Sequence, residues 1–128
     1  MFQLDMKSRK SIYEQVIDNL KELIMTGVLA EGERLPSVRD LSKQITVNPN
    51  TVLKAYKELE RAGYVYTTSG VGTFVAAKED ILMDDKKIDD IKREILSAFK
   101  DLQYLGLTYD EAVAIVKEVI LERSNQHD

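Results

Sequence analysis

The sequence predicts a mainly α-helical chain with one small β-hairpin, divided into residues 1–77 and residues 78–128. Three observations predict it. Apolar residues recur at spacings of three and four in five separate segments, as amphipathic helices require. Between the third and fourth segments the pattern changes to short runs of β-branched and aromatic residues broken by glycines, as a hairpin requires. Charge is divided unevenly as well: residues 1–77 carry ten Lys or Arg against nine Asp or Glu, and residues 78–128 carry eight against thirteen.

The first helix follows from Ile12, Val16, Leu20, Leu23 and Ile24, with Ser11 and Glu14 as a capping box and Gly27 as its stop. After a loop at Glu31 to Arg34, Ser37 and Asp40 repeat the cap, and Val38, Leu41 and Ile45 supply a short second stripe. A third helix opens at Asn48-Pro49-Asn50-Thr51. Asn is a favoured N-cap, and Pro at the first helical position gives up no hydrogen bond that the helix needs. The inner face of this helix is Val52, Ala55, Tyr56, Leu59 and Ala62, and Gly63 ends it. Tyr64 to Thr67 and Thr73 to Val75 are the strands, joined by Thr68-Ser69-Gly70-Val71-Gly72. Three helices and then a hairpin is the order of a winged helix-turn-helix, and residues 1–77 are read as that domain.

Residues Ala76 to Met83 read as a connector. Beyond them Ile88, Ile91, Ile95, Ala98, Leu102 and Leu105 form a heptad-like seam, Gly106 and Leu107 a tight turn, and Thr108 with Glu111 another capping box. The last helix carries Ala112, Val113, Val116, Val119 and Ile120, and also Ile115 and Leu121, so its apolar surface spreads beyond one face. A helical hairpin of about 40 residues is too small to bury such stripes by itself. Its cover is either the chain's own N-terminal domain or a second copy. The length of the seam and the connector ahead of it favour the second copy. Residues 78–128 are therefore expected to be an antiparallel two-helix dimerisation hairpin, with Ile91, Ile95, Ala98, Leu102, Leu105, Val116 and Ile120 at the interface.

Composition narrows the function. The chain has no cysteine, hence no disulfide and no thiolate ligand or nucleophile, which suits a reducing compartment. Its one histidine, His127, is the penultimate residue and reads as a solvated tail residue. No serine sits in an activating turn. Asp84, Asp85, Asp89 and Asp90 lack the spacing of a calcium loop and are explained as an acidic first turn that complements a helix dipole. The expectation is no catalytic activity, no metal and no cofactor. No apolar run approaches the roughly 18 residues of a membrane span, and no secretion signal opens the chain, so the expected compartment is the cytosol.

A net charge of −4 speaks against a nucleic-acid partner until its distribution is considered. The acidity lies in the second part, which leaves the near-neutral first part able to present a basic face to phosphates. With the apolar face of the third helix turned inward, Asn50, Thr51 and Lys54 stand at its exposed N-terminal side, the end that recognition helices present to base edges. Asn can pair with adenine, Thr can contact a thymine methyl, and Lys can reach guanine or phosphate. Arg39 and Lys43, four apart on the preceding helix, place two cations together beside a backbone track. Ser69 and Gly70 at the hairpin tip let the backbone approach a phosphate closely, although a simple turn accounts for the glycine equally well.

The text of residues 11–75 resembles the DNA-binding domain of the GntR family of bacterial regulators. The matching blocks are Ile12-Tyr13-Glu14-Gln15, Gly27-Val28-Leu29, Gly32, Leu35-Pro36-Ser37-Val38-Arg39-Asp40-Leu41, Val47-Asn48-Pro49-Asn50-Thr51-Val52, Leu59-Glu60-Arg61-Ala62-Gly63-Tyr64 and Gly70-Val71-Gly72-Thr73-Phe74-Val75. The short two-helix tail is similar to that of the YtrA-type subfamily, in which it dimerises. The resemblance implies DNA contacts from Arg39, from Asn48, Asn50 and Thr51, and from Ser69 and Gly70. Pro49 and Leu53 stand where the family often has arginine, so base readout by those two is lost and Lys54 is expected to replace part of it. The implied function is repression by a homodimer on a palindromic double-stranded operator, commonly at transporter genes. About 50 residues after the first domain leave little room for a metabolite pocket of ~300 Å³ or more, so an effector would need the dimer interface or the space between domains. Two other readings stand beside this one. The first is a winged helix used for protein binding; the second is the detached N-terminal part of an aminotransferase-like fusion, against which the capped C-terminal helices argue.

Overall fold

Helix α1 (Ile12–Met25) begins where the Ser11 hydroxyl accepts from the Glu14 N–H and donates to the Glu14 carboxylate. It buries Val16, Ile17, Leu20 and Ile24. Helix α2 (Val38–Ile45) begins with Ser37 accepting from the Asp40 N–H, and α3 (Pro49–Arg61) with Asn48 accepting from the Asn50 N–H at 2.8 Å. Val52, Ala55, Tyr56 and Leu59 of α3 meet α1, and with Leu35, Leu41, Val65 and Val75 they form one core. The computed structural model describes residues 2–127, with side chains through Arg123. The expectation for His127 therefore lies outside the described side chains.

Only Thr46 and Val47 separate α2 from the cap of α3. Thr46 takes the left-handed conformation (φ 56°, ψ 54°), and its N–H and that of Val47 both close on the Ser42 carbonyl. A β-branched residue there carries backbone strain of about 1–2 kcal/mol, tolerated because the turn must reverse the chain within two residues.

Strands β1 (Val65–Thr68) and β2 (Gly72–Val75) pair antiparallel, Val65 opposite Val75 and Thr68 opposite Gly72. The other edge of β2 is occupied by the segment that the sequence suggests is loop. Gly32 N–H donates to Val75 O at 2.8 Å, Val75 N–H to Glu33 O at 2.9 Å, and Leu35 N–H to Thr73 O at 2.8 Å. This one-bridge strand, Arg34 against Phe74, is too short to carry an alternating pattern.

The connector is folded. Ala76 N–H donates to Tyr64 O, a single 3-10 turn covers Lys78–Asp80, and Leu82 N–H returns to Ala62 O at 2.8 Å. Gly63 makes this possible: its φ is +86°, and a Cβ on it would lie 2.0 Å from the Asp80 carbonyl oxygen. The chain accordingly divides into a first unit ending at Leu82 and a second beginning at Met83. These closing bonds are backbone-only and leave no trace in side-chain pattern, which is why the sequence reads residues 76–83 as a connector.

In the second unit, α4 (Asp85–Tyr104) starts with Asp84 accepting from Lys87 N–H, and α5 (Tyr109–His127) follows a turn through Gly106. Thr108 and Glu111 make the reciprocal capping box at 2.9 and 3.2 Å. Phe99 and Tyr109 meet edge to face with ring centres 5.4 Å apart. Ala112 is buried, yet α4 has no buried residue at all.

Candidate nucleic-acid interface

The recognition-helix candidates sit on α3 as its inward face dictates. Asn50 and Lys54 are exposed, while Thr51 is half-buried and lines two open grooves. Asn48 is exposed too, but its side-chain oxygen is engaged in capping, so only its amide N–H groups remain for a ligand. Arg39 and Lys43 are exposed on α2, and neither forms an ion pair with a described residue. Leu53 is 39% exposed on α3, next to Lys54, and offers an apolar surface of the kind that meets a thymine methyl.

The orientation of α3 is fixed by more than its apolar face. The buried Tyr56 hydroxyl donates to the Pro36 carbonyl at 2.6 Å, tying α3 to the residue before the α2 cap. Burial holds that phenol well above its usual pKa, so it stays a donor. On the outer side Arg61 grips Glu58 through two bonds of 2.8 and 2.7 Å, and its guanidinium keeps the Glu58 carboxyl below the usual range. Glu58 thus offsets the Arg61 charge and leaves Lys54 and Lys57 as the exposed ammonium groups of this helix.

The hairpin is fastened to the same helix: Thr67 N–H donates to Glu60 at 3.1 Å. Tyr66 and Phe74 stack on its outer surface with ring centres 5.6 Å apart. Ser69 and Gly70 are exposed at its tip, with Gly70 at φ 74°.

Three parts of this surface are absent from the sequence reading. Tyr13 of α1 and Lys57 line an open groove of about 600 Å³ with Thr51, Lys54, Glu58 and Arg61. Their types carry no pattern by themselves; α1 packing on α3 brings them together. The third is the N-terminal segment, which the Asn19 and Gln15 side chains hold as a neighbouring strand would. Asn19 bonds to both the N–H and the carbonyl of Gln3, each at 3.1 Å. Gln15 bonds to the N–H and carbonyl of Asp5 at 2.7 and 2.9 Å, and to Lys10 O at 2.9 Å. Two amides four apart on one helix face were a possible clue.

Among the described residues, no group of three or more His, Asp or Glu is placed to hold a metal ion, and no helix is long and apolar enough to cross a membrane.

Comparison with known proteins agrees with this geometry. Residues 12–75 match the family described as bacterial regulatory proteins, gntR family. The chain is 40% identical to the HTH-type transcriptional repressor YtrA of Bacillus subtilis (strain 168), over 93% of this chain and 92% of that protein. A crystal structure described as a transcriptional antiterminator from Listeria monocytogenes EGD-e superposes with a TM-score of 0.77 at 41% identity, covering 93% of this chain and 89% of that one. A GntR family transcriptional regulator from Listeria monocytogenes gives 0.67 at 32% identity, covering 90% and 98%. Each of these is a regulator of transcription. With a winged helix-turn-helix whose exposed α3 residues face outward and a match spanning α1 to β2, the chain belongs to the GntR family and is a DNA-binding transcriptional regulator, not an enzyme.

Proposed function

We propose that the chain is a repressor that occupies an inverted-repeat operator as a homodimer, its two α3 helices entering successive major grooves. The observation that carries this reading is the partition of α3: Asn50 and Lys54 exposed at its leading end, with Val52, Ala55, Tyr56 and Leu59 locked in the core. In that pose Asn50, Thr51 and Lys54 reach base edges, Arg39, Lys43 and the free amide of Asn48 lie along phosphates, and Ser69 and Gly70 bring the wing tip to the backbone. Repression and the YtrA-type subfamily point to transporter genes as the class of target, and a chromosomal operator places the protein in the cytoplasm.

The second copy is supported by what the second unit leaves uncovered. Ile91, Ile95, Leu105 and Ile120 are 43%, 60%, 81% and 61% exposed, and Ala98 is exposed between them. Leu102 and Val116, assigned to the same interface from sequence, are half-buried. Between α4 and α5 runs a groove of about 510 Å³ lined by Ile95, Leu96, Phe99, Tyr109, Val113 and Val116. Apolar surface on this scale in a two-helix unit is what a dimer interface covers.

The test is Asn50→Ala. It should leave the melting temperature nearly unchanged and cost about 1–3 kcal/mol against the preferred duplex, with little loss on random duplex. Equal loss on both would remove base readout by Asn50.

A further inference from the structure

The N-terminal segment, residues 2–10, is neither a free tail nor part of the three-helix pattern. Phe2 and Leu4 pack against the core, and the Gln15 and Asn19 side chains pair with the backbone of Asp5 and Gln3. Asp5 then turns the chain: its carbonyl accepts from Ser8 N–H and its carboxylate from Lys7 N–H at 2.9 Å, while the Ser8 hydroxyl accepts from Lys10 N–H. The path that results runs beside the leading end of α3. Leu4, Met6 and Ile12 form one part of an open groove of about 450 Å³ whose remaining lining is Ile45, Thr46, Val47, Asn48 and Thr51.

Three of the ten basic residues of the segment 1–77 fall within four positions here, Lys7, Arg9 and Lys10, and positions 6–13 contain no acid. Lys10 is paired with Asp18 at 2.6 Å. Lys7 and Arg9 are exposed and form no ion pair with a described residue. Two cations are thus held on a pinned backbone one and three positions past Met6, which lines that groove with Asn48 and Thr51. A helix lying in a major groove about 12 Å wide has phosphates within reach of whatever flanks its leading end. Cations ordered before binding lose less freedom when they meet those phosphates.

We infer that Lys7 and Arg9 are phosphate contacts, so that the N-terminal arm is a further part of the DNA-binding surface, alongside α2, α3 and the wing. The inference rests on the docking of α3 proposed above. It assigns the arm to affinity and not to sequence choice, because phosphates are the same at every base pair.

The test is the salt dependence of binding by the full chain, on a duplex selected by the wild type and on a scrambled one. The Lys7→Gln/Arg9→Gln double variant is compared with a charge-matched control, Lys86→Gln/Lys87→Gln in α4. Each phosphate contact contributes about 0.9 to the slope of log affinity against log salt, so between about 50 and about 200 mM salt the wild type should lose about twelve-fold more affinity than the arm variant. The control should follow the wild type, and the arm effect should be the same on both duplexes. An arm variant that follows the wild type, or a control that loses the same slope, overturns the inference. Asn50→Ala measured alongside separates this from the docking reading. Retained discrimination in that variant removes base readout by Asn50 and leaves the arm to be judged by its own slope, whereas lost discrimination with an unchanged arm slope sinks the arm contacts alone.

Discussion

Replacing Gln15 with Ala should release the arm without unfolding the domain. Gln15 lies 8% exposed on α1 and makes three bonds to main chain, at 2.7, 2.9 and 2.9 Å. A hydrogen bond contributes about 1 kcal/mol net, and somewhat less where water can replace the lost partner. Asp5 and Lys10 are exposed, so water can reach the groups set free, and the three bonds together amount to about 2 kcal/mol. The arm is joined to the domain at one end only, so the loss should appear as local opening. A 2 kcal/mol loss corresponds to about thirty-fold faster hydrogen exchange at the Asp5 amide, with exchange in the centre of α1 little changed. Gln15→Glu, which can still accept from Asp5 N–H but sets a carboxylate against the Asp5 and Lys10 carbonyl oxygens, should open the arm at least as far as Gln15→Ala. Wild-type protection at Asp5 in Gln15→Ala would refute the reasoning, as would equal acceleration throughout α1.

Thr46→Asn should raise the stability of the first unit by about 1 kcal/mol, because Asn tolerates the left-handed conformation, and its melting temperature should rise by about 4–8 °C; a lower melting point would remove the strain argument. Glu111 is held below its ordinary pKa of 4.5, chiefly by the Thr108 backbone N–H and then by the Thr108 hydroxyl. Its contribution is therefore present above 4.5 and lost as pH falls through the depressed folded value, so the Thr108 amide resonance should shift only in that acid range and Glu111→Gln should abolish the shift. Ile95→Asp should give monomers in sedimentation at micromolar concentration, with weak operator binding and an intact melt of the first unit, because a charge at an apolar seam is costly to bury; a dimeric variant with full operator affinity would contradict the proposed interface.

Helix caps and apolar periodicity made the fold legible. Ser11, Ser37, Asn48 and Thr108 each cap the helix that their position announces, because a cap is a local bargain between one side chain and the next turn. The exposed set Arg39, Lys43, Asn50 and Lys54 was legible for a related reason: once Val52, Ala55 and Tyr56 face inward, helical geometry decides what faces out. What escaped notice depends on backbone groups distant in sequence. The Gly32–Leu35 edge of β2 and the return of Leu82 to Ala62 are main-chain bonds, which residue type barely encodes, and the arm is pinned by the Gln15 and Asn19 side chains on main-chain groups ten and sixteen positions away. Phe99 escaped for another cause. It stands outside the heptad spacing of Ile91, Ile95, Ala98, Leu102 and Leu105, yet it is the residue that meets α5 through Tyr109. Helix α4 therefore carries two apolar stripes, one of them toward its own hairpin partner.

The most direct test of the central claim is selection of duplex fragments from a random pool by the purified full chain, followed by sequencing of what is bound. A homodimer whose two α3 helices enter successive major grooves should return an inverted repeat, with half-site centres about 10–10.5 base pairs apart or a multiple of that. A single unrepeated site, or fragments with no shared sequence, would contradict the account.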